Sequence, residues 1–242
     1  MITLIGTGHV FDISSAITAV FDEKEPDVIC VELDKQRYNA ILMKRKNRES
    51  YKEAEKNLPF IYKLLARFQE SMAKEYGVNA GDEMLAAINY AQSHQLPVEF
   101  IDVNAQRLFI KMWNSMPFSE KIRLLLTGFG AFFVTKKRVE EELREFHENF
   151  DLYIEKIGRK FPTIKKTLID DRNKYMVKKL IKLNEDYEKI IACIGDGHVP
   201  GISKLLHSKN IEFETIRLEE LRKEKVKDTA SAHFSIKYKT TS

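Results

Sequence analysis

The chain has 242 residues, 43% of them hydrophobic and 31% charged, with 40 basic side chains against 36 acidic ones. That balance reads as a soluble globular chain, long enough to bury a core without staples. The net charge of +4 is small and mixed along the chain, which argues against nucleic acid as a partner. No apolar run reaches the ~18 residues of a membrane span, and Met1 leads into a strand with no basic leader, so no secretory signal is expected.

Ile2 to Gly6 is an apolar run closed by glycine and reads as a buried strand. A helix is expected from Ser14 to Phe21, with Ile13, Ile17 and Val20 on its inner side. Glu25-Pro26-Asp27 makes a turn, and Val28 to Val31 is a continuous apolar run, as in a strand covered on both faces. Strand, helix and strand at this spacing form a βαβ unit, so the two strands should be parallel. Asp34 reads as the N-cap of the next helix, which carries Arg37 in its first turn and Tyr38, Ile41 and Leu42 inward. The basic patch Lys44 to Arg48 reads as a solvated helix end, and Tyr51 to Tyr76 as more helix, broken near Pro59.

A further helix starts near Asp82, with Met84, Ala87, Ile88 and Ala91 on one face and Glu83 at the edge of that stripe. Val98 to Ile101 is the third strand, ending in Asp102. Ala105 to Leu183 is then mostly helical, with breaks near Pro117, Gly128 and Pro162. Within it, Ile122 to Val134 is strongly apolar and is expected to be a buried helix, or a helix pair broken at Gly128 and Gly130. A dimer face or a lipid-touching surface is the alternative. Arg138 to Glu148 reads as a solvated face. In the helix from Thr163, Leu168, Arg172, Tyr175 and Met176 share one stripe, and an arginine there should pair with a carboxylate because an unpaired buried charge is very costly. Ile190 to Ile194 is strand four, Pro200-Gly201-Ile202 opens a helix, Ile211 to Ile216 is strand five, and Ala232 to Tyr238 alternates as a C-terminal edge strand. Cys30 and Cys193 fall inside strands and are expected to be reduced and buried, as in a cytosolic protein. The whole reads as one α/β domain over residues 1–242. A central, mostly parallel sheet is flanked by helices, with helical insertions at about 36–95 and 104–188.

Two short stretches read almost alike: Gly6-Thr7-Gly8-His9-Val10 and Gly195-Asp196-Gly197-His198-Val199. Each follows an apolar strand, so each places a histidine just past a strand's C-terminal end, where open α/β sheets bind ligands. Neither is a phosphate loop of the Walker type, and neither completes Gly-x-Gly-x-x-Gly. Strand ends and first helical turns together collect His9, Glu32, Arg37, Glu83, Asp102, Arg172 and His198. Two imidazoles with carboxylates suit a divalent metal such as zinc, manganese or cobalt.

These stretches, with Val28-Ile29-Cys30-Val31-Glu32-Leu33-Asp34, Arg37-Tyr38, Gly81-Asp82-Glu83-Met84 and Asp171-Arg172-Asn173, resemble the TraB/PrgY family in order along nearly the whole chain. That family is related to the Tiki metalloproteases and, more distantly, to erythromycin esterases and ChaN-like haem-binding proteins. The resemblance implies a fold with two Gly-x-x-His motifs, whose members include metal-dependent peptidases and inhibitors of peptide pheromones. It implies that His9 and His198 match the motif histidines, and that Glu32, Arg37, Glu83 and Arg172 match recurrent acidic and basic positions. The sequence departs from the pattern at Ile101-Asp102-Val103, where an arginine is expected after the aspartate; Arg107 would compensate. Many pheromone-shutdown proteins carry C-terminal membrane segments, and none is expected here.

The leading expectation is a metal-dependent hydrolase acting on peptides or proteins. His9, His198 and Glu32 or Glu83 would hold a manganese, cobalt or zinc ion, and the other glutamate would serve as general base. Arg37 and Arg172 would bind a substrate carboxylate or the oxyanion. The alternatives are a metal-independent glutamate–histidine esterase-type hydrolase, and a non-catalytic protein that binds a peptide or haem. A cytoplasmic location, with membrane association or a homodimer as variants, completes the expectation.

Overall fold

A computed structural model describes residues 1–8, 13–46, 82–131 and 150–222. His9, Gly81, the predicted helices at 51–76 and 138–148 and the C-terminal strand at 232–238 lie outside the described residues. The elements in chain order are β1 (Ile2–Thr7), α1 (Ser14–Lys24), β2 (Val28–Val31), α2 (Lys35–Lys46), α3 (Asp82–Ser93), β3 (Val98–Phe100), α4 (Ala105–Ser115), α5 (Phe118–Ala131) and α6 (Phe150–Lys160). A short helix α7 (Pro162–Lys165) runs through a π turn (Lys166–Asp170) into α8 (Asp171–Leu183). Then come β4 (Ile190–Gly195), a 3₁₀ turn (Asp196–His198), α9 (Val199–His207) and β5 (Phe213–Ile216).

The five strands form one parallel sheet in the order β3-β2-β4-β1-β5. The central strands β1, β2 and β4 are the apolar runs, buried along almost their full length, while β3 and β5 at the edges are only half-buried. Strands covered on both faces need no polar alternation, which is why they read as continuous hydrophobic stretches. β1 and β2 are parallel, as the βαβ spacing requires, and β4 enters between them.

Two cores lie on the two faces. Ile5, Ile29, Val31, Ile191 and Cys193 face α1 and α3, burying Ile17, Phe21, Met84 and Ile88. Ile2, Leu4, Val28, Cys30, Ala192 and Ile194 face α8 and α9, burying Met176, Leu180, Ile202 and Leu206. Cys30 and Cys193 are therefore both buried and free, on opposite faces of the sheet. Burial pushes both thiols well above their ordinary range.

The topology fixes where a ligand would sit. From β1 the chain moves over β4 to β2; from the neighbouring β4 it moves the other way, over β1 to β5. Adjacent strands whose connections diverge open a crevice at their C-terminal ends. Here that crevice lies between the end of β1 and the Gly195–His198 turn after β4.

Two expectations fail in the helical insertion. α5 runs without a break through Gly128; a helix tolerates a glycine at roughly 1 kcal/mol. Its apolar run is not buried over the described side chains: Ile122 and Leu126 are exposed, as is Phe118. α5 follows α4 across Met116-Pro117 and none of its described side chains joins either core of the sheet, so hydrophobicity alone did not give it a core position. The stripe on α8 also differs. Asn173, Met176, Val177 and Leu180 are its buried residues, while Tyr175 stands exposed with the Lys179 ammonium over its ring. The π turn at 166–170 is the reason, since its wider turn breaks the 100° register between Leu168 and the residues that follow. Among the described residues, no helix is long and apolar enough to cross a membrane.

Candidate functional site

Each strand delivers its functional residue by ending where the apolar run ends. Glu32 follows β2, Asp102 lies just beyond β3, and the Gly195–His198 turn ends β4. Asp34, one turn further, is the expected N-cap: its Oδ1 accepts from the backbone N–H of Gln36 at 2.9 Å and of Arg37 at 3.2 Å. Its Oδ2 also accepts from the Ala105 N–H at 3.3 Å, so one carboxylate ties together the starts of α2 and α4.

Arg172 on α8 reaches this edge. Its Nε and Nη2 donate to the two oxygens of Asp102 at 2.9 and 2.8 Å, and Nη2 also donates to Glu32 Oε1. Its Nη1 donates to the Leu168 carbonyl in the π turn at 3.3 Å. Asp102 thus receives its arginine from 70 residues further along the chain, not from the position that follows it. Arg107 is exposed, and its own backbone N–H is taken by Asn104, the N-cap of α4. Arg37 stands beside Asp102 at 3.5 Å and is about one-third exposed. It is the site's cation with a face to solvent.

Glu32 is the hub. Oε2 accepts from the Gly195 N–H at 2.6 Å. Oε1 faces Arg172 and lies 3.4 Å from His198 Nε2. Burial by itself would push this carboxyl up; His198, Arg172 and the Gly195 N–H outweigh it and hold the group well below the usual carboxylate range. Burial would lower the Arg172 pKa, but Glu32 and Asp102 outweigh it and hold the guanidinium charged.

His198 is buried, and its Nδ1 lies 2.6 Å from Asn173 Oδ1. A carbonyl oxygen only accepts, so Nδ1 carries the proton. Asn173, also buried, is the residue of this candidate site that the sequence did not single out. Its signal was its place beside Arg172, a second polar side chain entering the apolar stripe of α8. α9 makes room for it at Gly201, where a Cβ would overlap the Asn173 amide.

Glu83 is buried in the first turn of α3, on the face of the sheet shared with α1, and near enough to Cys193 to raise that thiol. The structure therefore brings Glu32, Asp102, Arg172, Arg37 and His198 together. Among the described residues, no three His, Cys, Asp or Glu side chains form a metal-binding group.

The sequence profile of the TraB/PrgY/gumN family matches residues 1–214. This chain belongs to the TraB/PrgY/gumN family. It is also 28% identical to the uncharacterized protein MJ1365 of Methanocaldococcus jannaschii, across 92% of this chain. The chain spans 58% of that relative's length.

Proposed function

We propose that this TraB-family protein is a metal-dependent hydrolase of peptides, with His198 Nε2 and Glu32 Oε1 as two of the metal's ligands. The observation that carries the reading is the pairing of two acceptors. Asn173 fixes a proton of His198 on Nδ1, so in the neutral ring the lone pair of Nε2 faces a carboxylate that Arg172 and the Gly195 N–H also hold. Two such acceptors are drawn together by a cation between them, a metal ion here or a proton in the second reading below. Their 3.4 Å separation fits two ligands each about 2.0–2.1 Å from one ion, which lie about 3.3 Å apart in a tetrahedral set. The Asn173 bond is also the kind of outer-shell support that ligating histidines receive. His9, matched by motif, would add a further ligand.

A bound divalent cation would polarise a scissile carbonyl and lower the pKa of a bound water. The chain's own residues do the rest. Arg172 and the Gly195 N–H keep Glu32 ionised and fixed in direction. Asp102 neutralises Arg172 and is itself held by the Val103 N–H at 2.8 Å. Arg37 offers its solvent-facing guanidinium to a substrate carboxylate or a developing oxyanion. Glu83 stays a candidate base.

A second reading puts a proton where the metal would be, making an imidazolium–glutamate pair that activates water directly. The ion-pair distance of 3.4 Å favours it equally on geometry. Metal content separates the two. Protein purified without chelator and loaded with zinc, manganese or cobalt should retain one ion per chain, and His198→Ala and Glu32→Gln should lose it. Peptide hydrolysis should stop on chelation and return with metal. Equal metal in wild type and both variants would refute the metal reading; hydrolysis surviving exhaustive chelation would establish the second.

A further inference from the structure

The consecutive helices α4 and α5 carry a surface unlike the rest of the described molecule. Among the described residues eight large hydrophobic side chains are exposed, and five of them lie between positions 110 and 126: Ile110, Trp113, Phe118, Ile122 and Leu126. Phe118, Ile122 and Leu126 recur every fourth residue and fall within about 80° of arc on α5. The Lys121 ammonium sits 5.1 Å from the centre of the Trp113 ring, joining the apolar side of α4 to that of α5. Single exposed hydrophobics need no explanation, but a contiguous stripe marks an interaction surface.

The charges around the stripe identify what it meets. Between residues 105 and 126 the ionisable side chains are Arg107, Lys111, Lys121, Arg123 and Glu120. Glu120 is buried and turned inward, its Oε1 accepting from the Thr163 N–H at 3.0 Å. With Lys111 paired to Asp171, the solvent-facing charge that this stretch presents comes from Arg107, Lys121 and Arg123, all cations. A second copy docking through the same face would set cations against cations, because a two-fold interface is self-complementary. An anionic lipid surface complements the face in both respects, with apolar and aromatic side chains entering the headgroup boundary and basic ones meeting the phosphates.

We infer that the face formed by α4 and α5 is a peripheral docking surface for anionic membranes. The two helices lie on the lipid surface rather than spanning the bilayer. They are anchored to the rest of the fold by Lys111 on Asp171 at 2.9 Å, by Glu120 on Thr163, and by Arg123 donating to the Lys160 carbonyl at 2.9 Å. Asp171 precedes Arg172, so docking would hold the candidate site at a fixed offset from the lipid. The inference stands on the surface alone and does not depend on the hydrolase reading.

Trp113 is the chain's one tryptophan, so its fluorescence reports on this face without a label. Full-length protein is titrated with vesicles of pure phosphatidylcholine and with vesicles containing about one-third phosphatidylglycerol, and bound protein is measured by flotation. The expected result is a blue shift and flotation with anionic vesicles only, both weakened by salt. Phe118→Glu with Leu126→Glu should cut the bound fraction about tenfold or more. Both positions are exposed, and an unchanged far-ultraviolet spectrum and melting temperature establish that the variant folds. Anionic binding that leaves Trp113 unshifted, or that survives the double substitution, overturns the inference by placing the contact elsewhere. A blue shift on concentrating the protein without lipid overturns it in favour of a second copy. No response to either vesicle overturns it and leaves a protein partner to cover the face.

Discussion

Two arginine–carboxylate assemblies flank the end of β4, and they differ in what surrounds them. On one side Arg172 bridges Asp102 and Glu32, all three largely shut off from water, with side-chain exposures of 14%, 3% and 9%. On the other, Arg217 forks onto Asp196 at 2.8 and 2.7 Å, but its side chain is 39% exposed. Asp196 also accepts from the Leu218 N–H at 3.0 Å and lies over Gly6, where a Cβ would overlap its carboxylate. The outer pair fastens the segment after β5 to the β4 turn. The inner assembly fastens nothing that a hydrophobic contact could not hold as well. What it does is present an ionised glutamate to an imidazole. Buried ion pairs are poor sources of stability, so their presence here points to chemistry, whereas the outer pair reads as a structural latch.

That contrast predicts the largest effect for loss of Arg172. Arg172→Ala leaves Glu32 and Asp102 buried together without their cation, and should cost about 3–5 kcal/mol in urea denaturation. Acid should separate the assemblies next. Glu32 titrates below its unfolded value of roughly 4.3. The unfolded chain takes up that proton first, so the stabilisation is present above the unfolded value and is lost as pH falls through the folded one. The gap in unfolding free energy between wild type and Glu32→Gln should therefore be wide at about pH 6 and narrow toward about pH 3. Burial would raise Asp196, but Arg217 and the Leu218 N–H lower it overall. Asp196→Asn should show the same sign with a smaller gap. A gap that widens on acidification would contradict the ionised state assigned to Glu32.

Asn173 is next in size. Asn173→Ala leaves the buried Nδ1–H of His198 without its acceptor, a loss of about 1–3 kcal/mol. If His198 binds metal, affinity should fall about 10–100-fold. Asn173→Asp keeps an acceptor at the same place and should retain the Nδ1–H tautomer, read from the nitrogen shifts of His198. A variant lacking the acceptor that keeps both tautomer and metal affinity would mean that Asn173 only fills space.

How much of this was legible in the sequence follows from what kind of signal each feature leaves. Strand ends were legible because burial on both faces writes a continuous apolar run, and glycine closes it. Glu32 and the Gly195–His198 turn could be placed at one edge on that basis alone, and so could the N-cap at Asp34. The partner of Asp102 was not legible, because its arginine arrives from α8 and the expected neighbour at 103 is a valine. The insertion of β4 between β1 and β2 leaves no local mark at all. The π turn misled the wheel of α8 by one register step, which is why Tyr175 seemed buried and Asn173 went unnoticed. At Ile122 and Leu126 hydropathy misled, because it measures how apolar a helix is and not whether anything covers it.

The smallest predicted effect is also the sharpest test of the contrast: the arginine-to-lysine pair. Lysine keeps the charge and loses the planar fork. At Arg172 the fork spans two carboxylates and a carbonyl from one side chain. A single ammonium cannot satisfy all of them in a site with little water to fill in. Arg172→Lys should therefore change the orientation of Glu32 and weaken metal uptake well beyond its loss of stability. At Arg217 water can reach the vacated positions, and the Leu218 N–H continues to hold Asp196 over Gly6. Arg217→Lys should then shift the urea midpoint by no more than about 1 kcal/mol and leave metal uptake at the wild-type level. Equal loss of metal in the two lysine variants would make the outer pair part of the site, because the β4 turn that carries His198 would then depend on both arginines alike.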